Sequence, residues 1–389
     1  MSIVLYVFIF LQLLIGIHFL MPVIFSILKF FTKISCESSE VAETDYAVII
    51  TAYQQVGLVP MVVDSILKAN YSNYLIYVVA DNCDISELKF EDERVILLRP
   101  ELVLASNTKS HFYAIDRFKR AHEYLTIIDS DNLVHPAYFN ELNKVFDKGF
   151  LAVQGVRKAK NLDTTYACLD EAGDIFYRFI DRKLMFEAGS SAALSGSGMA
   201  FKTELYIKCL KDNLFKGAGF DKILQYEIIS AGHRIAFAEE AIVYDEKTAK
   251  TAQLVNQRAR WINTWFKFFF LGGRLLSTSI RRLDKNQFLF SIMLLRPPLF
   301  MLMMLSAVCV IGNILFVPWM LVYWSLLFLV FFISLFSALS YFKADKRIYT
   351  SLKNVPKFIY FQILALFKAK RANEISVATE HYYKGEINE

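Results

Sequence analysis

Four groups of polar residues in this sequence stand where chemistry could be done. Asp81 closes the apolar run 75–80 (LIYVVA), and Asp129 and Asp131, parted by Ser130, end the run 125–129 (LTIID). Asp221 opens a helical pattern continued by Leu224, Ile228 and Gly232. Gln257, Arg260 and Trp261 lie in the stretch QRARW, just ahead of an aromatic-rich segment. Paired carboxylates suit a hard divalent cation that also takes phosphate oxygens. An arginine, always charged, can grip a diphosphate with two hydrogen bonds. Each group also has an ordinary reading. An aspartate after a strand commonly serves a turn or a helix cap, a D-x-D pair can sit in a solvated loop, and QRARW could merely flank a membrane. Their order and their position after predicted strands favour the chemical reading.

Such residues need a scaffold to converge. Short β-rich runs at 46–51, 75–80, 94–98, 125–129 and 151–155 alternate with stretches whose apolar spacing predicts helices, such as 57–69 and 108–121. This alternation points to an α/β domain with a mostly parallel sheet covered on both faces. Open sheets of that kind bind ligands at the carboxyl ends of their strands.

The rest of the chain has a different character. Its 389 residues are 55% hydrophobic and include 35 phenylalanines, which points to a membrane protein with a soluble middle. Residues 3–28 form one apolar run and 298–317 and 319–342 two more, each long enough to span a bilayer. Lys29 and Lys33 after the first run, and Lys343, Lys346 and Arg347 after the last, put the middle and the tail on the cytoplasmic side of the cell (inner) membrane. The segments 262–276 and 355–368 suit helices lying in the interface plane. The expected organisation is an anchor helix at 1–31, a catalytic domain at 45–261, an interfacial helix at 262–285, two spanning helices at 298–342 and a tail at 343–389. A net charge of +5, without a basic run interleaved with aromatics, excludes a nucleic-acid partner. Five cysteines (Cys36, Cys83, Cys168, Cys209, Cys309) without CxxC pairing read as free thiols of a reducing compartment. His111, His122, His135 and His233 lack ligand spacing, and Glu239 and Glu240 read as solvated residues before a strand.

With these motifs in order, residues 45–265 resemble the family-2 glycosyltransferases of the inverting GT-A fold, an α/β architecture with a Rossmann-like mixed sheet. The likeness is greatest to membrane-embedded members such as cellulose, chitin and hyaluronan synthases. The first strand followed by Thr51, Ala52 and Tyr53 resembles the family's nucleotide loop. Asp81, Lys109, the Asp129–Asp131 pair, the stretch 195–198 (SGSG), Asp221 and QRARW follow in family order. Thr379 and His381 resemble a short terminal motif of such enzymes.

The resemblance implies transfer of a hexose or N-acetylhexosamine from a nucleotide sugar, commonly a UDP-sugar, to a glycan or lipid-linked acceptor. Asp131 and Asp129 would hold Mg2+ or Mn2+, and Asp221 would be the general base. Ala52, Tyr53, Asp81, Lys109, Asp129 and Arg260 would contact the donor. Gln257, Trp261, Ser197 and Gly198 would shape the acceptor side. Two positions depart from the pattern. Gln54 and Gln55 stand where an acidic residue is usual, and Phe220 replaces the glutamate before the base. These departures admit a catalytically silent, nucleotide-sugar-binding subunit of a synthase complex as the alternative. About three spans give one protomer little wall for a polar tunnel, so an export partner or a homo-oligomer would be needed for polymer secretion. A small transporter has little support, because no ionisable residue lies mid-span in 298–342.

Overall fold

The computed structural model describes residues 3–32, 43–211 and 219–372. Thr379, His381, Lys33 and Cys36 lie outside them; the other four cysteines are buried and free. The central sheet has eight strands: β1 (Tyr46–Tyr53), β2 (Tyr74–Asp81), β3 (Val95–Leu98), β4 (Tyr124–Asp129), β5 (Leu133–Val134), β6 (Ala152–Ala159), β7 (Met199–Lys202) and β8 (Ile235–Asp245). Their spatial order is β3-β2-β1-β4-β7-β6-β8-β5. Residues 46–50 of β1 are all buried. Successive side chains point to opposite faces, so both faces of this strand are covered.

The expected parallel arrangement holds for β3, β2, β1 and β4. It fails beyond them. β7 runs antiparallel between β4 and β6, and β5 runs antiparallel to β8, while β6 and β8 are parallel. With four and two residues, β7 and β5 are too short to show as apolar runs. The reversal matters for the site, because it brings the residues that precede β7 to the carboxyl end of β4.

Helices α2 (Val59–Leu67), α3 (Asn107–Ile115) and α4 (Tyr138–Phe146) join the strands; α3 stops six residues before the expected position 121. After β6, α5 (Thr165–Tyr177) widens into a π-helical stretch at Arg178–Leu184 and a single turn α6 (Met185–Glu187). Helices α7 (Thr203–Leu210) and α8 (Phe220–Ser230) flank the chain before β8. Helix α9 (Thr251–Arg282) then runs unbroken for 32 residues. QRARW and the aromatic segment therefore share one helix, although their compositions suggest a boundary at 261. Helix α10 (Lys285–Leu295) returns along α9.

Three helices, α1 (Ile3–Phe30), α11 (Leu299–Phe316) and α12 (Met320–Tyr341), are long and apolar enough to cross a membrane. They pack as one bundle joined by a buried polar clamp. Gln12 donates to Asn313 Oδ1 at 3.1 Å, and its Oε1 accepts from Asn313 Nδ2 at 2.7 Å and from Trp324 Nε1 at 2.6 Å. Helices α13 (Lys346–Ser351) and α14 (Val355–Lys368) follow, and α14 packs along α9.

Ion pairs tie the bundle to the domain. Lys29 meets Glu187 at 3.0 Å, and Lys183 meets Glu187 at 2.9 Å and Glu239 at 3.0 Å. Glu239 thus lies inside β8 as an ion-pair partner, and the reading of it as a solvated residue is corrected.

Candidate active site

Parallel register aligns the first group of candidates. Thr51 lies opposite Asp129 and Tyr53 opposite Asp81, so Ala52, Tyr53, Asp81 and Asp129 share the carboxyl rim of β2, β1 and β4. Asp81 is buried, and its two carboxylate oxygens accept the backbone N–H groups of Leu104 at 2.9 Å and Ala105 at 2.7 Å. Here the aspartate organises the loop leading to α3, on whose first turn the half-buried Lys109 lies.

The antiparallel entry of β7 supplies the second group. The Gly198 N–H donates to Ile127 O at 3.0 Å, and the Asp129 N–H donates to Ser197 Oγ at 3.0 Å. Gly198 has φ +63, and a Cβ there would come within 2.9 Å of Val243, so glycine alone fits without strain. Gln154 spans the same turn; its Nε2 donates to Ser197 O at 3.2 Å and its Oε1 accepts the Ser195 N–H at 2.9 Å. The stretch 195–198 is therefore a cradle held against the Asp129–Asp131 turn.

Asp221 joins the cradle through its neighbours. Gln225 Oε1 accepts the Leu194 N–H at 3.1 Å, and Lys222, 3.4 Å from the Asp221 carboxylate, donates to Leu194 O at 3.5 Å. Gly219 takes φ +99 two residues before Asp221, and a Cβ there would approach Thr264 Cγ2 at 2.7 Å and Phe268 Cε2 at 2.9 Å. Thr264 in turn donates to Arg260 O at 2.8 Å. The helix that carries Asp221 thus meets the cradle at Leu194, and Gly219 at its start lies against the turn of α9 that follows Arg260. Among the described residues, Ser195 Oγ of the cradle and Gln225 Nε2 of α8 are buried without a hydrogen-bond partner, polar capacity that a ligand or water can take.

On α9, Gln257 Oε1 accepts from Thr248 at 2.9 Å and anchors the helix to the segment leaving β8. Burial lowers the Arg260 guanidinium from its ordinary value. Trp261 is 49% exposed. One face of its indole carries the Arg258 guanidinium, 4.2 Å from the ring centroid, which also pairs with Asp170.

Beneath the carboxylate pair lies a buried ionic network that apolar spacing does not reveal. Arg157 donates to Ser195 O at 2.8 Å and pairs with Asp245 at 2.5 Å. Lys247 meets Glu171 at 3.0 Å, Asp174 at 2.9 Å and Asp245 at 3.1 Å. Arg178 and Arg182, from the π-helical stretch, close it through Glu171 at 3.0 Å and Asp174 at 3.4 Å. Burial opposes the charge on Asp245, yet Lys247 and Arg157 hold its carboxyl below the usual range. Lys160, nearly fully buried, donates to Asp131 O at 2.6 Å and so pins the main chain of the expected cation ligand. The signal for these residues was the charged stretch 157–160 (RKAK), which continues β6 past the point where apolar alternation ends.

Among the described residues no group of three His, Cys, Asp or Glu side chains is placed to hold a metal ion. Two oxygen donors from one turn fit Mg2+ or Mn2+, which commonly keep waters and substrate phosphate oxygens as further ligands.

His111 has a different part. Its Nδ1 lies 2.7 Å from Tyr206 Oη, and its ring packs edge-on against Phe220 at 5.1 Å. Burial lowers its pKa from 6.5 to about 3. The folded chain refuses a proton that the unfolded chain accepts, so stability falls as pH drops from about 6.5 toward 3. Thermal unfolding followed between neutral and mildly acidic pH should show this loss, and His111→Gln should flatten it.

An eight-stranded mixed sheet with carboxylates on the rim of its parallel half is the architecture of the GT-A transferases. Residues 43–264 match the family described as glycosyltransferase like family 2. That is more than half of the chain, which belongs to this family and is a glycosyltransferase. The mannosyltransferase PcManGT from Pyrobaculum calidifontis, solved with GDP-Man and Mn2+, is similar in fold, with a TM-score of 0.56 at 16% identity over 92% of this chain and 97% of its own. TarS 1–349 of S. aureus, solved with UDP-GlcNAc, gives a TM-score of 0.42 at 13% identity over 60% of this chain and 67% of its own. No curated protein matches the chain.

Proposed function

We propose that this chain is an inverting membrane glycosyltransferase. In this reading it moves a hexose or N-acetylhexosamine from a nucleotide sugar, a UDP-sugar by preference, to a glycan or lipid-linked acceptor. The observation that carries the reading is the shared rim of Asp81 and Asp129, beside which the Ser197 hydroxyl and, at Leu194, the helix carrying Asp221 are held.

The donor's diphosphate lies against the rim of β1, β2 and β4, with Ala52, Tyr53, Asp81 and Lys109 toward the nucleoside. Asp131 and Asp129 would hold Mg2+ or Mn2+, and when bound that cation offsets the charge building on the departing diphosphate. Arg260 adds a fixed positive charge to the same group. Asp221 takes the proton from the acceptor hydroxyl as that oxygen attacks the anomeric carbon from the opposite side. Ser197 and Gly198 line the cradle, and Gln257 and the open face of Trp261 border the acceptor.

The three apolar helices span the inner membrane, with the catalytic domain cytoplasmic; Lys29 and the cluster Lys343, Lys346 and Arg347 support that orientation. At the level of the Gln12 clamp the bundle interior is closely packed. Gly16 lies against Tyr323, Gly312 against Phe8, and the Gln12 clamp is buried between them. A closely packed bundle favours a lipid-linked or short acceptor met at the bilayer face; secretion of a polymer would need an export partner or a homo-oligomer. Phe220 and the Gln54–Gln55 pair keep one second reading alive, a silent subunit that binds donor without turnover.

The test is a screen of labelled nucleotide sugars on the purified protein in lipid, with and without Mn2+ or Mg2+, and mass analysis of the product. We expect one donor to be consumed, divalent-dependently, and Asp131→Asn to raise the cation concentration needed at least tenfold. Donor binding without transfer or hydrolysis under any condition would favour the silent subunit.

A further inference from the structure

The long helix α9 carries a pattern that the transfer reaction does not use. Lys267, Arg274 and Arg281 recur every seven residues, which puts them in one row along the helix. All three are exposed. Beside the row lies Phe270 and, about a quarter turn further round, Phe266, exposed by 47% and 54%. The Arg274 guanidinium stands 4.9 Å from the Phe270 ring centroid. Over its 32 residues α9 has no acidic side chain.

The opposite face is covered. Leu271 and Leu275 are buried, and a Cβ on Gly272 would meet Leu294 and Leu295 of α10 at about 3 Å. Helix α10 ends at Leu295, and the apolar helix α11 begins at Leu299. The α9–α10 hairpin therefore lies at the level where the chain enters the bilayer. An exposed aromatic edge there, beside a row of exposed cations on a helix that has no acidic residue of its own, is complementary to negatively charged lipid headgroups over an apolar interior.

We propose that this face of α9 docks on anionic phospholipid and that this docking sets the turnover of the enzyme. The inference rests on the membrane reading above. The coupling follows from continuity: the same helix carries Gln257 and Arg260 at its start, and Gly219, two residues before Asp221, rests on Thr264 and Phe268 in its middle. Seating the helix on the bilayer fixes the wall against which the segment carrying Asp221 packs.

The experiment uses the full chain in vesicles of phosphatidylcholine alone or mixed with phosphatidylglycerol. Spin-labelled lipids report which headgroup is held at the protein, and transfer is measured in the same vesicles. We expect the wild type to hold phosphatidylglycerol severalfold over phosphatidylcholine and to turn over at least threefold faster in the mixture. The triple variant K267Q/R274Q/R281Q should lose both effects while keeping its rate in phosphatidylcholine, and K267R/R274K/R281K should keep both. Equal retention of the two lipids by the wild type would overturn the docking surface, as would a preference that survives in the triple variant. A preference without any change in rate would overturn the coupling. The lipid measurement needs no turnover, so a failure of the transferase reading would remain distinguishable from a failure of this one.

Discussion

Asp221→Asn is expected to lower the transfer rate by about 10²–10⁴-fold, the usual contribution of a positioned general base. Donor affinity should be almost unchanged. The substitution keeps the shape of the side chain and removes only its capacity to accept a proton. The surroundings of Asp221 are fixed by other atoms. Gly219 adopts φ +99 against α9, Gln225 holds the cradle through Leu194, and the Lys222 ammonium needs no partner beyond Leu194 O and solvent. A loss confined to turnover would therefore report chemistry and not collapse of the fold. Donor binding measured by calorimetry beside single-turnover rates separates the two. If the variant kept its full rate, the base would be another group. If the wild type itself bound donor without turnover, the departures at Phe220 and Gln54 would have their explanation in a silent subunit.

The rim of the sheet was legible in the sequence for a physical reason. A strand buried on both faces must be a run of apolar residues, and the first polar residues after it stand at its carboxyl end. Asp81, Asp129 and Asp131 announce themselves this way, and the register of β1 with β2 and β4 puts Asp81 and Asp129 on one rim. Membership of family 2 and the α/β fold were likewise visible in the order of the motifs. Other features depend on contacts that no local pattern encodes. β7 has four residues, and its antiparallel direction is decided by its neighbours, yet it seats Ser197 beside Asp129. The change from helix to π-helix at Arg178 leaves the apolar spacing uninformative there. QRARW and the aromatic stretch differ in composition, but no proline or glycine pair breaks the helix between them, and α9 continues through. Above all, charged residues read one by one suggest solvated surface. Glu171, Asp174, Arg178, Arg182 and Lys247 become interior only because they neutralise one another across elements distant along the chain.

Lys247→Met is the substitution expected to harm stability most. Lys247 meets Glu171, Asp174 and Asp245 together, each within 3.1 Å, and its side chain is only 5% exposed. A methionine of similar volume would fill the space and leave the buried Glu171 and Asp245 and the partly buried Asp174 facing Arg157, Arg178 and Arg182. Breaking a buried ion pair from one side costs about 3–5 kcal/mol, because the partner charge is stranded. The effect should depend on pH with a definite sign. In the wild type, burial works against the charged forms of Asp174 and Asp245, but Lys247 and neighbouring arginines hold both pKa values below the ordinary range. They therefore contribute stability that is present above the unfolded carboxylate pKa and is lost as pH falls through the folded value. Removing Lys247 removes the largest of those favourable influences. Hence the gap in unfolding temperature between wild type and variant should be widest near neutral pH and should narrow in acid. A double variant with Asp245→Asn distinguishes a stranded charge from simple loss of packing. If the stranded carboxylate is the cause, Lys247→Met with Asp245→Asn should be more stable than Lys247→Met alone, whereas a packing defect would make the two losses add. Because Asp245 also holds Arg157, which donates to Ser195 of the cradle, the double variant should recover stability without recovering the full transfer rate.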